Sequence, residues 1–257
     1  MDTILRFPRG VQFIRDHRLW EGFFSYGWLS RIFIVIAVLI GLKFMTIFFS
    51  WVGSVSLDSP VAVVSNMGVL FKDFAIEGFG FLFAGGMKYV MLVLLEVLVF
   101  HFSRRTLAIL INKESDTEFD AFLKAQIRMV KIAFRSWILE MIASLLIKIF
   151  FSIFGFIDFL EPALILGVQC YYLGFAILDN YFEQFDMSIK ESAKYAQNYI
   201  GVALALGLVV YVLLLIPVLG TIAAPIIAAV TGSLIMYQLS DLHLLGKETE
   251  LELDDLV

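Results

Sequence analysis

One cysteine, five prolines and three histidines in 257 residues exclude several classes of protein at once. A lone Cys170 can form no internal disulfide and no CxxC metal or redox pair. It reads instead as a small side chain in an apolar helix. His17, His101 and His243 are scattered along the chain, so the sequence offers no metal-ligating cluster. No Ser/His/Asp set and no catalytically spaced carboxylate pair occurs, which leaves an enzyme without chemistry. Charge is scarce as well: 17% of residues are charged and 60% are hydrophobic, against about 25% and about 45–50% in a soluble domain. With a mean hydropathy of +0.89, the chain reads as an integral membrane protein with no separate soluble domain.

Other absences narrow the reading further. The run Gly78-Phe79-Gly80-Phe81 with Gly85-Gly86 lacks a following Lys-Ser/Thr and a strand–loop–helix setting, so it is no phosphate loop. ATP coupling is therefore not encoded here, and the glycines read as places where helices approach closely. The first 28 residues hold Arg6, Arg9, Arg15 and Arg18 but no uninterrupted apolar stretch, so no cleavable signal peptide is expected. Nothing in the sequence calls for a cofactor, a metal or a nucleic acid.

What is present is apolar sequence in long runs. A helix needs about 20 apolar residues to span a bilayer, and the candidates are 29–52, 79–102, 137–160, 163–178, 200–216 and 218–239. The expected fold is an all-α integral membrane protein of one domain. A basic amphipathic N-terminal helix (1–28) leads into two long transmembrane helices and a cytoplasmic helical connection (103–136). Two hairpins (137–179 and 200–241) and an acidic tail (246–257) follow. The hairpins share a design: each has a Gly and a Pro at its tip (Gly155 and Pro162; Pro217, Gly220 and Pro225) and an apolar run ending at an acid (Asp179, Asp241). Repeated, Pro-interrupted apolar units are a device of membrane transport proteins. The runs 163–178 and 200–216 reach only about 24–26 Å as helices, so the hairpins are expected either to cross or to penetrate from the inner face.

The distribution of Lys and Arg gives an orientation. The N-terminal region and the 103–136 connection are rich in basic residues, the 179–199 connection has Lys190 and Lys194, and both hairpin tips have none. The positive-inside rule then places both termini in the cytoplasm. In 103–136, Phe119, Phe122, Leu123, Ile127, Val130 and Phe134 recur at helical spacing opposite Lys124, Arg128, Lys131 and Arg135, with a break near 112–117. That basic face reads as a topology anchor against anionic headgroups.

Ionisable residues inside apolar runs are costly and mark function or structural pairing. Here they are Lys43, Lys88, Glu96, Glu140 and Lys148. With the inner edges of two antiparallel helices set at Phe102 and Trp137, Glu96 and Lys148 fall within reach as a buried pair. Lys88 and Glu140 fall about 16 Å apart in depth. Asp179 and Asp241 read as equivalent hairpin-end carboxylates at the membrane interface. In the N-terminal segment, Arg15 and Arg18 close to a helix start offer guanidinium forks and backbone N–H groups, the donors an oxyanion needs.

The stretches 171–182 (Tyr-Tyr-Leu-Gly-Phe-Ala-Ile-Leu-Asp-Asn-Tyr-Phe), 187–192 (Met-Ser-Ile-Lys-Glu-Ser) and 216–220 (Ile-Pro-Val-Leu-Gly), with Ala224-Pro225, resemble the CysZ-like sulfate permease family. That family includes the etoposide-induced endoplasmic-reticulum membrane proteins. The resemblance implies long membrane helices with hemi-penetrating hairpins, a homo-oligomer, and passage of sulfate into the cytoplasm from a bacterial inner membrane. It also implies an anion-binding motif in the N-terminal region, whose nearest match is His17-Arg18-Leu19 with Arg15 beside it. The expected partners are therefore membrane lipids, an inorganic anion such as sulfate, and further copies of the chain. The competing expectation is a non-conducting membrane scaffold or regulatory protein.

Overall fold

The computed structural model describes residues 2–23, positions 28, 31–32, 34–36, 38–39, 42 and 45–46, and residues 86–112, 119–153, 159–214, 216 and 219–244. Every element among them is helical. In chain order they are α1 (Asp2–Leu5), α2 (Phe7–Asp16), α3 (Met87–Ile111), α4 (Phe119–Ile153), α5 (Glu161–Glu183), α6 (Ile189–Ala196), α7 (Ile200–Leu214) and α8 (Leu219–Leu239). A 3-10 turn over Gln197–Tyr199 joins α6 to α7. Lys43, Gly155, Pro217 and the tail 246–257 lie outside the described residues.

Local chemistry sets the ends of these helices. Pro8 and Pro162 stand in the first turns of α2 and α5, where a missing N–H costs nothing. α3 stops at Asn112, whose left-handed backbone (φ 55°, ψ 37°) turns its N–H back to the Ala108 and Ile109 carbonyls. α6 opens on a reciprocal cap: Glu191 N–H donates to Ser188 Oγ at 3.3 Å, and Ser188 N–H donates to Glu191 Oε2 at 2.7 Å.

Four described stretches are long and apolar enough to cross a membrane: Phe119–Ile153, Glu161–Glu183, Ile189–Leu214 and Ile222–Leu239. Their packing is compatible with a multi-pass membrane protein. Beyond Trp137, α4 leaves Met141, Ile142, Leu145, Leu146, Ile149, Phe150 and Ile153 exposed, a face that water would penalise and lipid would not. The short run expected at 163–178 is part of a longer helix, whereas the run expected at 200–216 is α7 itself, joined through the 3-10 turn to α6 in one helical stretch, Ile189–Leu214. α5 alone has 23 residues, about 34 Å at 1.5 Å per residue. The sequence runs ended at Asp179 and Asn180 because those residues are polar. The helix continues because both are buried against partners that accept polar groups.

α5 and α7 form the tightest contact of the bundle. A side chain at Gly174 would strike the Ala203 carbonyl, and one at Gly207 would strike that of Cys170. Backbone therefore meets backbone across this interface, as small residues allow between membrane helices. Cys170 is buried there as a packing residue. α8 lies against α7, α5, α3 and α2. Pro225, expected at the second hairpin tip, is instead inside α8. The turn closes earlier, beside Gly220, where any side chain would meet the Leu213 carbonyl and Ile216. Pro225 stands in the second turn of α8, where it removes one i→i−4 hydrogen bond while the helix runs on to Leu239.

A second apolar cluster ties the N-terminal segment to α3: Leu19 and Phe23 pack with Met91, Leu95, Leu98 and Phe102, backed by Phe122 and Val230. That cluster fixes where the basic residues of the N-terminus stand relative to the bundle.

Candidate functional site

The described helices bury several ionisable side chains, and the site is built from how these are paired. Lys88 donates to Glu140 Oε1 at 2.6 Å, and the Tyr89 hydroxyl donates to Glu140 Oε2 at 2.6 Å. All three are buried. This overturns the expected Glu96–Lys148 pair, since Lys148 is exposed on α4. The reason is register. α3 and α4 pack as an antiparallel pair whose break lies between Asn112 and Phe119. Measured from that break, Lys88 stands about seven turns away and Glu140 about six, whereas Glu96 is about four turns away and Lys148 about eight. Placing the inner edges at Phe102 and Trp137 had slid one helix along the other by about three turns.

The second ion pair joins helices distant in sequence. Arg128 on α4 donates to both oxygens of Asp179 on α5, Nε to Oδ2 at 2.7 Å and Nη2 to Oδ1 at 2.9 Å. Its remaining N–H groups reach the Met187 carbonyl at 2.6 Å and Ser192 Oγ at 2.9 Å, and Glu183 lies 3.9 Å away. One guanidinium thus fastens α4, α5 and α6, using the forked geometry that a lysine lacks. Asp179 is only 2% exposed in its side chain. It is not the counterpart of Asp241, which is exposed just past the end of α8. The difference is that Asp179 faces a cation from α4 and Asp241 faces solvent. The sequence placed Arg128 on a headgroup-facing stripe. The missed signal was Asp179 itself, a carboxylate inside an apolar helix that required a cation from another element.

Next to Asp179 runs a mostly buried polar strip. The Ser103 hydroxyl meets that of Ser233 at 2.9 Å, and Gln184 Nε2 donates to Ser103 Oγ at 3.0 Å and to the Asn180 carbonyl at 2.9 Å. Glu96 on α3 and Asn180 on α5 complete it. Beside Arg128 opens a cavity of about 440 Å³ lined by Lys124, Arg128, Lys131, Glu183 and Ser188, with Ile127 and Ile189 as its apolar wall. Its lining sets Lys124 and Lys131 beside Arg128, whose guanidinium is already bonded to Asp179, the Met187 carbonyl and Ser192.

The N-terminal residues are arranged differently from the expectation. Arg15 lies in the last turn of α2 and Arg18 beyond its end, so the free N–H groups of that helix start are not beside them. Both are exposed, their side chains 76% and 72% accessible, in loose ion pairs with Asp16 at 3.5 Å and Glu21 at 3.7 Å. Arg18 has a left-handed backbone (φ 46°). Leu19 is fully buried, and its carbonyl accepts a hydrogen bond from His101 Nε2 at 2.7 Å. Arg105 reaches the same loop, donating to the Glu21 carbonyl at 2.6 Å. Leu19 is thus an anchor, while Arg15 and Arg18 remain available at the surface.

No protein-family model, no curated protein and no solved structure matches this chain.

Proposed function

We propose that this chain is a membrane transport protein that passes an inorganic oxyanion, sulfate in the first place, and takes no energy from ATP itself. The observation that carries the reading is the cavity in which Lys124 and Lys131 stand beside the Arg128–Asp179 pair, in a bundle that buries ion pairs among apolar helices. Ionisable side chains are costly in a membrane and are retained chiefly where a substrate or ion path needs them. Exposed Arg15 and Arg18, at the end of α2, supply a second set of cations for an arriving anion. The resemblance of 171–182, 187–192, 216–220 and Ala224-Pro225 to the CysZ-like permeases supports the same substrate class. On this reading the fold has hairpins α4–α5 and α7–α8 tipped toward the outside, both termini in the cytoplasm of a bacterial inner membrane, and several copies per assembly.

Sulfate binding to the purified protein, followed by titration calorimetry, tests this directly. Wild type is expected to bind sulfate, and Arg18→Ala and Lys131→Ala each to weaken it about tenfold, the equivalent of about 1.4 kcal/mol. Unchanged affinity in both variants, with folding intact, would remove these residues from the path. No heat with wild type, together with a stoichiometric partner protein in mild detergent, would support a scaffold instead.

A further inference from the structure

The pairs described above leave one buried carboxylate over. Lys88 answers Glu140 and Arg128 answers Asp179, whereas Glu96 has no cation within ion-pair distance among the described residues. It is buried in the middle of α3, where its Oε2 meets Asn180 Nδ2 at a long 3.5 Å. Its Oε1 and the Asn180 Oδ1 are both buried without a hydrogen-bond partner among the described residues. Among the described residues, two side chains in contact through Asn180 Nδ2 and Glu96 Oε2 thus each keep a buried acceptor without a donor. Such groups carry a desolvation cost that a folded protein normally removes.

The surrounding charges sharpen the point. From α5, Asp179 and Glu183 act on Glu96, and from α4 Arg128 does. Arg104 of α3 itself acts on Glu183 and Arg135 of α4 on Asp179. α8, packed on the other side, has no Asp, Glu, Lys, Arg or His. The N-terminal segment contributes Arg18 and Glu21, both exposed. With Glu96 ionised, three carboxylates would share chiefly one guanidinium. A single added positive charge relieves that imbalance. A metal ion would need several oxygen ligands, and the described residues contain no group of three His, Cys, Asp or Glu placed to hold one. A proton needs only one oxygen and one acceptor.

We propose that Glu96 is a proton-binding carboxyl whose acid form donates its O–H to Asn180 Oδ1. The Asn180 amide turns over so that its oxygen accepts. An O–H bond forms on the Glu96 carboxylate with a proton drawn from water, and breaks again when the proton returns to water. Glu183, which both acts on Glu96 and lines the open cavity, offers an ionisable intermediate on that route. Coupling of this proton to oxyanion movement rests on the transport reading above; the proton site itself does not.

Infrared difference spectroscopy of the wild-type protein in liposomes at neutral pH tests the proposal. The expected result is a protonated carboxylic C=O band that shifts in D2O, shifts again on ¹³C-glutamate labelling, and is lost in Glu96→Gln. The labelling experiment needs no variant and so stands even if Glu96→Gln fails to fold. Absence of any glutamate-derived protonated band in wild type would overturn the proposal, as would a band that persists in folded Glu96→Gln. A band abolished by added Na⁺ at constant pH would overturn it too, assigning a cation site. A Glu96 band in a protein that moves no sulfate would uphold the proton site while removing the oxyanion reading.

Discussion

Replacing Arg128 with alanine lowers the stability of the folded protein by about 3–5 kcal/mol, the loss typical when one partner of a buried ion pair is removed. The large effect follows from what is left behind. Asp179 stays buried with its charge unanswered, and the Met187 carbonyl and Ser192 hydroxyl each lose a donor. Arg128→Lys restores a point charge without the fork that grips both Asp179 oxygens, and should recover only part of the loss. Replacing both partners, as Arg128→Met with Asp179→Leu, should recover more than either single change, because no isolated charge then remains in the interior. Denaturation in mixed micelles, with helix content as the readout, checks this series. Wild-type stability in Arg128→Ala would show that the guanidinium does not fasten α4 to α5 and α6.

Lys88→Ala is expected to cost a similar amount, about 3–5 kcal/mol, since it strands Glu140 between α3 and α4. Glu140→Gln should cost less, because an amide can still bond to Lys88 and to Tyr89. A double-mutant cycle between the two positions should return a coupling energy of about 0.5–3 kcal/mol. Lys148→Ala, by contrast, should change stability by no more than about 0.5 kcal/mol, the ordinary result at an exposed site. The contrast separates the two registers of α3 on α4. A large loss at Lys148 with none at Lys88 would restore the pairing with Glu96 and discard the observed one.

The helical, apolar character of the chain was legible in the sequence because hydropathy reports directly on what lipid or a core will accept. The break after Asn112 was legible for a related reason: the apolar spacing lapses there and Asn tolerates the left-handed cap. Helix register was not legible. Apolar runs mark a span to within a turn or two, and the turns flanking the break are amphipathic, so the run ends at Phe102 and Trp137 misplace the true helix ends. An error of about three turns is enough to exchange one buried partner for another. Arg128 was hidden for a different reason, since its neighbours Lys124 and Lys131 make a basic stripe that reads as a surface. Only contact between α4 and α5 shows that the middle member of the stripe points inward. Leu19 shows the reverse case. In sequence it belongs to a candidate anion motif, whereas in the fold it is the apolar anchor that holds exposed Arg18 near α3. Pro225 misled because a proline after a glycine reads as a turn, although a helix as apolar as α8 carries it inside.

The central claim, that this bundle passes an oxyanion across a membrane, is tested most directly by radiolabelled sulfate uptake. Purified protein in proteoliposomes would be compared with empty liposomes, with phosphate and chloride as competitors. Saturable sulfate uptake that sulfate analogues compete away and chloride does not is the predicted result. Flux no greater than that of empty liposomes, from protein shown to be folded and inserted, would contradict it.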